Sequence, residues 1–340
     1  MTTEPVTGAL ALPIANSQLA QDLRDHLATV EDQLRAAVKQ ADALADDASR
    51  HLVAAGGKRL RPLLTLLASE LGAGVNPQVL DAAMVVELTH LATLYHDDVM
   101  DSAPIRRGAP SAHEVWGNSV AILTGDLLFA RASRIVAGLG PEAVILQAET
   151  FERLCLGQLR ESVGPSGDED PIEHYLEVLA DKTGSLIATS ARFGALFAGA
   201  EAEHINALIQ FGEKIGVAFQ LADDVIDLAS DAETTGKTPG TDLRERVPTM
   251  PVLLLEAAGR KPDCDAQTRE VLALLEQDLD DDAALNAAIA GLRQHPALEQ
   301  ARLIAQQWAQ DAISELDALP TGDVRDALAT FAEALVDRTA

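Results

Sequence analysis

The chain has 340 residues, 47% of them apolar, and a formal charge of −27 at pH 7. That length holds one large domain or two ordinary ones with an ample core, and the charge excludes general nucleic-acid binding because no broad basic face can be drawn. Only 3% of residues are aromatic, and alanine and leucine dominate, so helix is favoured over strand.

Residues 1–15 are rich in threonine, proline and alanine and are expected to form a loose lead-in. No basic region followed by an apolar run opens the chain, and no uninterrupted apolar stretch reaches the length of a membrane span; a soluble, cytoplasmic protein is expected. Leucine and alanine spacing from Ser17 to about Ala55 predicts a long amphipathic helix or a bent pair. Gly56-Gly57 breaks it, and Pro62 suits the first turn of a helix running to about Leu71. A central helix follows from Gln78 to about Ser102, then a short link over Ser111–Gly117. Further helices are predicted over Asn118 to Ala137, Pro141 to Val163, and from Ile172 onward with an interruption at Lys182-Thr183-Gly184.

Residues 185–199, SLIATSARFGALFAG, are small and apolar and suit a close helix–helix contact. A helix over 202–230 precedes a glycine- and charge-rich loop, Ser230–Arg246, long enough to be functional. Helices over Pro248–Gly259, Asp265–Gln277, Asp282–Leu292, Pro296–Leu316 and Gly322–Arg338 complete the chain, and the acidic run at 278–284 reads as a solvated loop and helix start. No strand-period stretch and no dividing linker are found, so residues 16–340 are read as one all-α domain. Cys155 and Cys264, without a CxxC pair, give neither a disulfide framework nor a zinc site.

Chemistry concentrates in ELTHLATLYHDDVMDSAPIRR, residues 87–107. Asp97, Asp98 and Asp101 fall within about a 100° arc of one helix. Asp97 and Asp101 are i,i+4 neighbours whose like charges ask for a counter-charge. One acidic triple is as readily a solvated face. A second, Asp223, Asp224 and Asp227 in FQLADDVIDL, repeats the DDVxD spacing at the end of another helix. Two such sets predict two helices facing each other across a cavity with Mg²⁺ held between their ends, and a diphosphate as ligand. Basic residues are locally concentrated at Lys58-Arg59, Arg61 and Arg106-Arg107. His90 lies about two turns before Asp97, while Lys182-Thr183, Gln220 and Lys237 flank the second half. Cations and metal-binding carboxylates together suit two anionic substrates, one of them metal-bound.

GGKRLRP at 56–62, HDDVMD at 96–101, RRG at 106–108, GQLRE at 157–161, KTGSL at 182–186, FQLADDVID at 219–227 and GKTPGTDL at 236–243 together resemble the trans-isoprenyl diphosphate synthases, the all-helical polyprenyl synthetase family, and bacterial long-chain members most. The resemblance implies a single-domain antiparallel helix bundle around a central cavity, of the isoprenoid synthase type. It implies Mg²⁺, three ions per active site, and catalysis by Asp97, Asp98, Asp101, Arg106, Lys182, Asp223, Asp224 and Asp227. Asp97, Asp101 and Asp223 would be metal ligands, with Asp98 in support and Asp224 and Asp227 holding metal-bound water. Arg106, Lys182, Thr183, Gln220 and Lys237 would grip an allylic diphosphate, and Lys58, Arg61, His90 and Arg107 isopentenyl diphosphate. A homodimer is implied, and a transient membrane contact for release of an apolar product. The chain departs from the family pattern at Arg244-Glu245-Arg246, where glycine and lysine usually precede the Thr-Pro segment; Arg244 or Arg246 would then stand in.

In the family, bulky residues four and five positions before the first aspartate stop short products. Here Thr93 and Ala92 are small, and neither Thr89 nor Val86 is aromatic. A long-chain product for a quinone side chain is therefore expected first, geranylgeranyl diphosphate second, and a stopping residue on another helix. Tyr95, the nearest aromatic, is expected to pack on the outer side of the helix. A terpene cyclase of the related fold would lack the second DDVID and the pocket for a second diphosphate. A non-catalytic subunit of a heteromeric synthase would lack one or both aspartate sets.

Overall fold

The computed structural model describes residues 13–229 and 239–336. The expected lead-in lies outside the described residues as far as position 12, and so does the chain from 230 to 238. Two compact units emerge. One runs through Arg153 and adds Leu186–Gly212 and Glu315–Thr330; the other comprises Leu154–Ser185, Glu213–Ser314 and the chain from Phe331. Their boundaries fall within helices.

The first unit starts with the bent pair, α1 (Ser17–Ala37) and α2 (Ala43–Ala54). Asn16 accepts from the amides of Gln18 and Leu19, which satisfies two of the N–H groups that open α1. α3 (Leu60–Ser69) carries Pro62 in its first turn and buries every residue except Arg61. α4 (Pro77–Met100) is the predicted central helix, with Asn76 as its cap and Pro77 at its first position. It is buried nearly all round from Ala82 to Thr89, the signature of a helix enclosed by others. Tyr95 belongs to that interior: it is fully buried, donates to the Ala48 carbonyl at 2.5 Å and accepts from the Leu52 amide at 3.2 Å. The expected outer position is thereby corrected, because those two bonds draw the phenol onto α2.

After α4 the chain makes a two-residue antiparallel ribbon, β1 (Ile105–Arg106) against β2 (Ala109–Pro110). No strand was foreseen, since so short a ribbon leaves no alternating pattern. Its turn residues Arg107 and Gly108 have φ of +53° and +77°, the positive pair that a tight hairpin loop requires. The predicted link over 111–117 contains a short helix, α5 (Ala112–Trp116). α6 (Asn118–Leu139) and α7 (Pro141–Val163) follow as expected.

α9 (Ser185–Phe197) shows why its segment is small. A Cβ at Gly194 would collide with the backbone carbonyl of Thr65 on α3, and Thr65 Oγ1 donates to the Ser190 carbonyl at 3.0 Å.

In the second unit α8 (Pro171–Leu179) runs into a π turn, Ala180–Gly184, at the foreseen interruption. The C-terminal half of α10 (Ala202–Ala229) passes this turn so closely that a Cβ at Gly216 would lie 2.5 Å from Gly184 Cα. α11 (Thr241–Arg244), α12 (Met250–Gly259), α13 (Ala266–Leu275), α14 (Asp282–Gln294) and α15 (Pro296–Glu315) complete this unit, and α16 (Asp323–Val336) begins in the first unit and ends in the second. Arg293 Nε donates to the Leu228 carbonyl at 2.6 Å, satisfying an orphan acceptor at the end of α10. No helix among the described residues is long and apolar enough to cross a membrane.

Gly194→Ala tests the close approach. Overpacking costs about 1–3 kcal/mol, so the thermal unfolding midpoint should fall by several degrees, whereas Ala→Gly at exposed Ala130 should cost about 1 kcal/mol or less.

Candidate active site

In the first unit the positive groups are built from the turn before α3 and the ribbon after α4. Arg59 adopts a left-handed conformation, φ +49°, and is buried. Its Nε lies 2.7 Å from Glu31 and its Nη1 2.7 Å from Glu87, and Nη2 donates to the Val53 carbonyl at 3.3 Å. Anchoring Arg59 fixes its neighbours Lys58, which is exposed, and Arg61. Arg61 has no hydrogen-bond partner at Nε. Loss of water lowers its pKa to about 10, with Glu87 resisting and Arg107 adding to the fall.

Arg107 is turned inward by its positive φ and donates to the carbonyls of Gly56 and Leu52, the latter at 3.3 Å. A Cβ at Gly57 would lie 2.8 Å from the Arg107 guanidinium, so that position must be bare. His90 is held well below its ordinary pKa, first by desolvation and then by the charges of Arg61, Arg107, Arg59 and Arg106. Neutral His90 thus stands among four guanidiniums. Arg59 is met by Glu31 and Glu87, and Arg106 by Asp98, yet no carboxylate bonds Arg61 or Arg107 among these described contacts. Such an excess of desolvated positive charge is an anion site.

The first carboxylate set divides in two. Asp98 is fully buried and accepts from Arg106 Nε at 2.5 Å; its second oxygen has no partner. Desolvation raises its pKa, partly offset by Arg106. Asp98 therefore aims the arginine, while half-buried Asp97 and exposed Asp101, the C-cap of α4, lie toward solvent. Among the described residues no three His, Cys, Asp or Glu groups already converge as a metal cluster. Asp97 and Asp101 supply two hard oxygen ligands one turn apart, a set that suits Mg²⁺, which usually completes its shell with water and substrate phosphate.

In the second unit the π turn presents Lys182 and Thr183. Lys182 Nζ lies 2.5 Å from Glu161 on α7, and Thr183 is buried. A Cβ at Gly157 would meet the Lys182 backbone nitrogen at 2.8 Å, so the small residue of GQLRE lets α7 lie against the turn. On α10, Gln220, Asp223 and Asp227 are half-buried. Asp224 is buried, and one of its oxygens accepts from the Tyr175 hydroxyl at 2.7 Å and the Met250 amide at 3.2 Å. Burial pushes both side chains' pKa values well up. Asp224 thus ties α10 to α8 and α12. Asp227 accepts from the amides of Thr241 and Asp242 at 3.3 and 3.4 Å, at the start of α11. Arg244 meets Asp282 at 2.6 Å, and Arg246 donates to the Gln277 carbonyl at 3.2 Å. Both arginines are therefore turned to the acidic 277–282 segment, which does more than solvate. Lys237 lies outside the described residues.

Around the predicted chain-length positions, Thr89 and Ala92 are buried and Thr93 is half-buried. Thr93 Oγ1 donates to the His90 carbonyl at 2.8 Å.

The sequence reading gave no role to Arg59, Glu31, Glu87, Glu161 or Tyr175. Glu87 carried a signal, a lone acid inside the apolar run AAMVVELTHL, because a buried carboxylate must have a cation. Glu31 carried none.

Three outcomes follow. Glu87→Leu leaves Arg59 dependent on Glu31 alone, and breaking a buried pair from one side should cost about 3 kcal/mol, read by urea unfolding. Asp224→Ala should cost about 1–3 kcal/mol by orphaning the Tyr175 hydroxyl and the Met250 amide, whereas Asp224→Asn keeps an acceptor and should unfold near the wild-type midpoint. His90 has a lowered folded-state pKa, so its contribution to stability is full above its ordinary 6.5 and is lost as pH falls below it. His90→Gln should flatten that limb of a plot of melting temperature against pH.

The sequence model of the Polyprenyl synthetase family matches residues 42–292. The chain is 46% identical over 336 residues to a nonaprenyl diphosphate synthase of Mycobacterium tuberculosis, covering 98% of each. Among solved structures it resembles a geranylgeranyl pyrophosphate synthase from Corynebacterium glutamicum complexed with calcium and isoprenyl diphosphate. That match has TM-score 0.84 and 44% identity and covers 96% of this chain and 99% of the other. A decaprenyl diphosphate synthase from Rhodobacter capsulatus superposes with TM-score 0.84 at 33% identity, over 95% and 99% of the two chains. The all-α isoprenoid synthase fold is thus the fold of this protein, and the chain belongs to the polyprenyl synthetase family.

Proposed function

We propose that the protein condenses isopentenyl diphosphate with an allylic diphosphate, head to tail, and repeats the step to give a long all-trans polyprenyl diphosphate. The observation that carries this reading is the surplus of desolvated positive charge around His90, Arg61 and Arg107, two helical turns from Asp97. A single-diphosphate enzyme such as a cyclase has no use for it. The pocket of Lys58, Arg61, His90 and Arg107 holds isopentenyl diphosphate, and Arg106, Lys182, Thr183, Gln220 and Lys237 hold the allylic diphosphate.

Asp97, Asp101 and Asp223 would hold Mg²⁺, which supplies positive charge that stabilises a departing diphosphate. Arg106, aimed by Asp98, and Lys182, held by Glu161, would each add fixed positive charge for a diphosphate. The allylic C–O bond breaks with its electron pair going to diphosphate. The double bond of isopentenyl diphosphate then supplies the pair for the new C–C bond, and the resulting tertiary cation loses a proton to the released diphosphate. The guanidiniums of Arg61 and Arg107 offer no nucleophile to intercept the cation, and a site closed to water would protect it.

Small residues at Ala92, Thr93 and Thr89, with the nonaprenyl and decaprenyl synthases among the similar proteins, support a long product such as a quinone side chain requires. The geranylgeranyl synthase likeness supports C20 as the second reading. Ile122, Leu123 and Leu127 on α6, with Val144 and Ile145 on α7, are exposed, while Phe129 and Phe151 stack at 3.9 Å between those helices. Such a patch supports a homodimer; a cytoplasmic location and a transient membrane contact for product release complete the proposal.

The deciding experiment incubates purified protein with Mg²⁺, isopentenyl diphosphate and farnesyl or geranylgeranyl diphosphate, and reads product masses. Chains beyond C20 are expected, and chelation by EDTA should abolish them. Arg61→Gln should raise KM for isopentenyl diphosphate at least tenfold, with a smaller effect on the allylic substrate. Absence of condensation with Mg²⁺ present would overturn the reading in favour of a non-catalytic subunit.

A further inference from the structure

Thr89 lies on α4 eight residues, or about 12 Å, before Asp97. The side chain that meets it comes from α7. Gln147, only 3% exposed, donates from Nε2 to Thr89 Oγ1 at 2.6 Å. Thr89 Oγ1 in turn donates to the Val85 carbonyl at 2.8 Å, so the threonine hydroxyl is fixed and Gln147 is held against α4. The other end of the amide is unusual: Gln147 Oε1 is buried without a hydrogen-bond partner. Orphaned buried acceptors are rare, and a position needed only for packing would be filled by leucine or methionine at no such cost.

One turn further along α7, buried Thr150 bonds Thr189 of α9 at 2.7 Å. Two polar side-chain bonds thus link α7 to α4 and to α9. Nothing in the small side chains of Ala92 or Thr93 provides such a stop.

We propose that Gln147 is a specificity-determining residue, and that its hydrogen bond to Thr89 is the latch that a growing prenyl chain must open to pass between α4 and α7. The inference rests on the condensing activity proposed above. A tail short of Thr89 leaves the latch closed. A longer one must displace the amide, leaving Thr89 without its donor and the Gln147 amide without its acceptor, so elongation slows at that length and release competes.

The test compares product lengths of wild type, Gln147→Leu and Gln147→Ala with isopentenyl diphosphate, farnesyl diphosphate and Mg²⁺, while total isopentenyl incorporation is followed in parallel. Leucine keeps the volume but removes the bond. Both variants should lengthen the mean product by at least one C5 unit and reduce the fraction ending at the shortest wild-type product about tenfold. Gln147→Phe, which cannot swing aside, should shorten it. Unchanged lengths in active variants would overturn the latch. Lengthening by alanine alone would also overturn it, since bulk rather than the bond would then be the stop. If wild type itself incorporates no isopentenyl diphosphate, the proposed activity fails first, which separates the two failures.

Discussion

The ion pairs of Arg59 with Glu31 and Glu87 are the constraint on which the anion site depends. A buried guanidinium is tolerable only when its charge is met and its N–H groups are used, and here two carboxylates and the Val53 carbonyl do so. The reward is positional. Arg59 takes a left-handed conformation that most residues avoid, and that bend sends Lys58 and Arg61 out of the turn before α3. Because both acids are spent on Arg59, the charge of Arg61 and Arg107 is left for a ligand, and His90 stays neutral among them.

The same division of labour recurs at both aspartate sets. The middle carboxylate of each is withdrawn, Asp98 onto Arg106 and Asp224 onto Tyr175 and the Met250 amide, while the first and last lie nearer the surface. A DDVxD sequence thus buries one carboxylate as a structural anchor and leaves two nearer the surface, set by the 100° advance of a helix. The inward residue must be an acid able to tolerate burial, and raised pKa values are the mark of that cost.

Periodicity, prolines and glycines made most helices legible from sequence, because each helix had a cap or a break: Asn76-Pro77, Gly140-Pro141 and Asp170-Pro171 are examples. Positions of the aspartates, of Lys182 and of the arginines were legible because their spacing is local. What was not legible depends on contacts between distant segments. Glu31 reads as one more charge on an amphipathic helix, 28 residues before the arginine it holds. Tyr95 was misplaced because the carbonyl and amide that bind it belong to α2. The partners of Arg244 and Arg246 at 277–282 lie more than thirty residues along the chain, and the ribbon at 105–110 was too short to leave a pattern.

The π turn at Ala180–Gly184 bears on how such a chain can change over time. A π turn is an α-helix with one residue too many. Losing a residue there would restore regular helix, at the cost of rotating everything on one side by about 100° relative to the other. Lys182 would then turn away from Glu161. Substitutions can accumulate in this segment one at a time. Its length cannot drift, so an odd-residue gap here would mark a descendant in which the Lys182–Glu161 pair is gone while the helices remain.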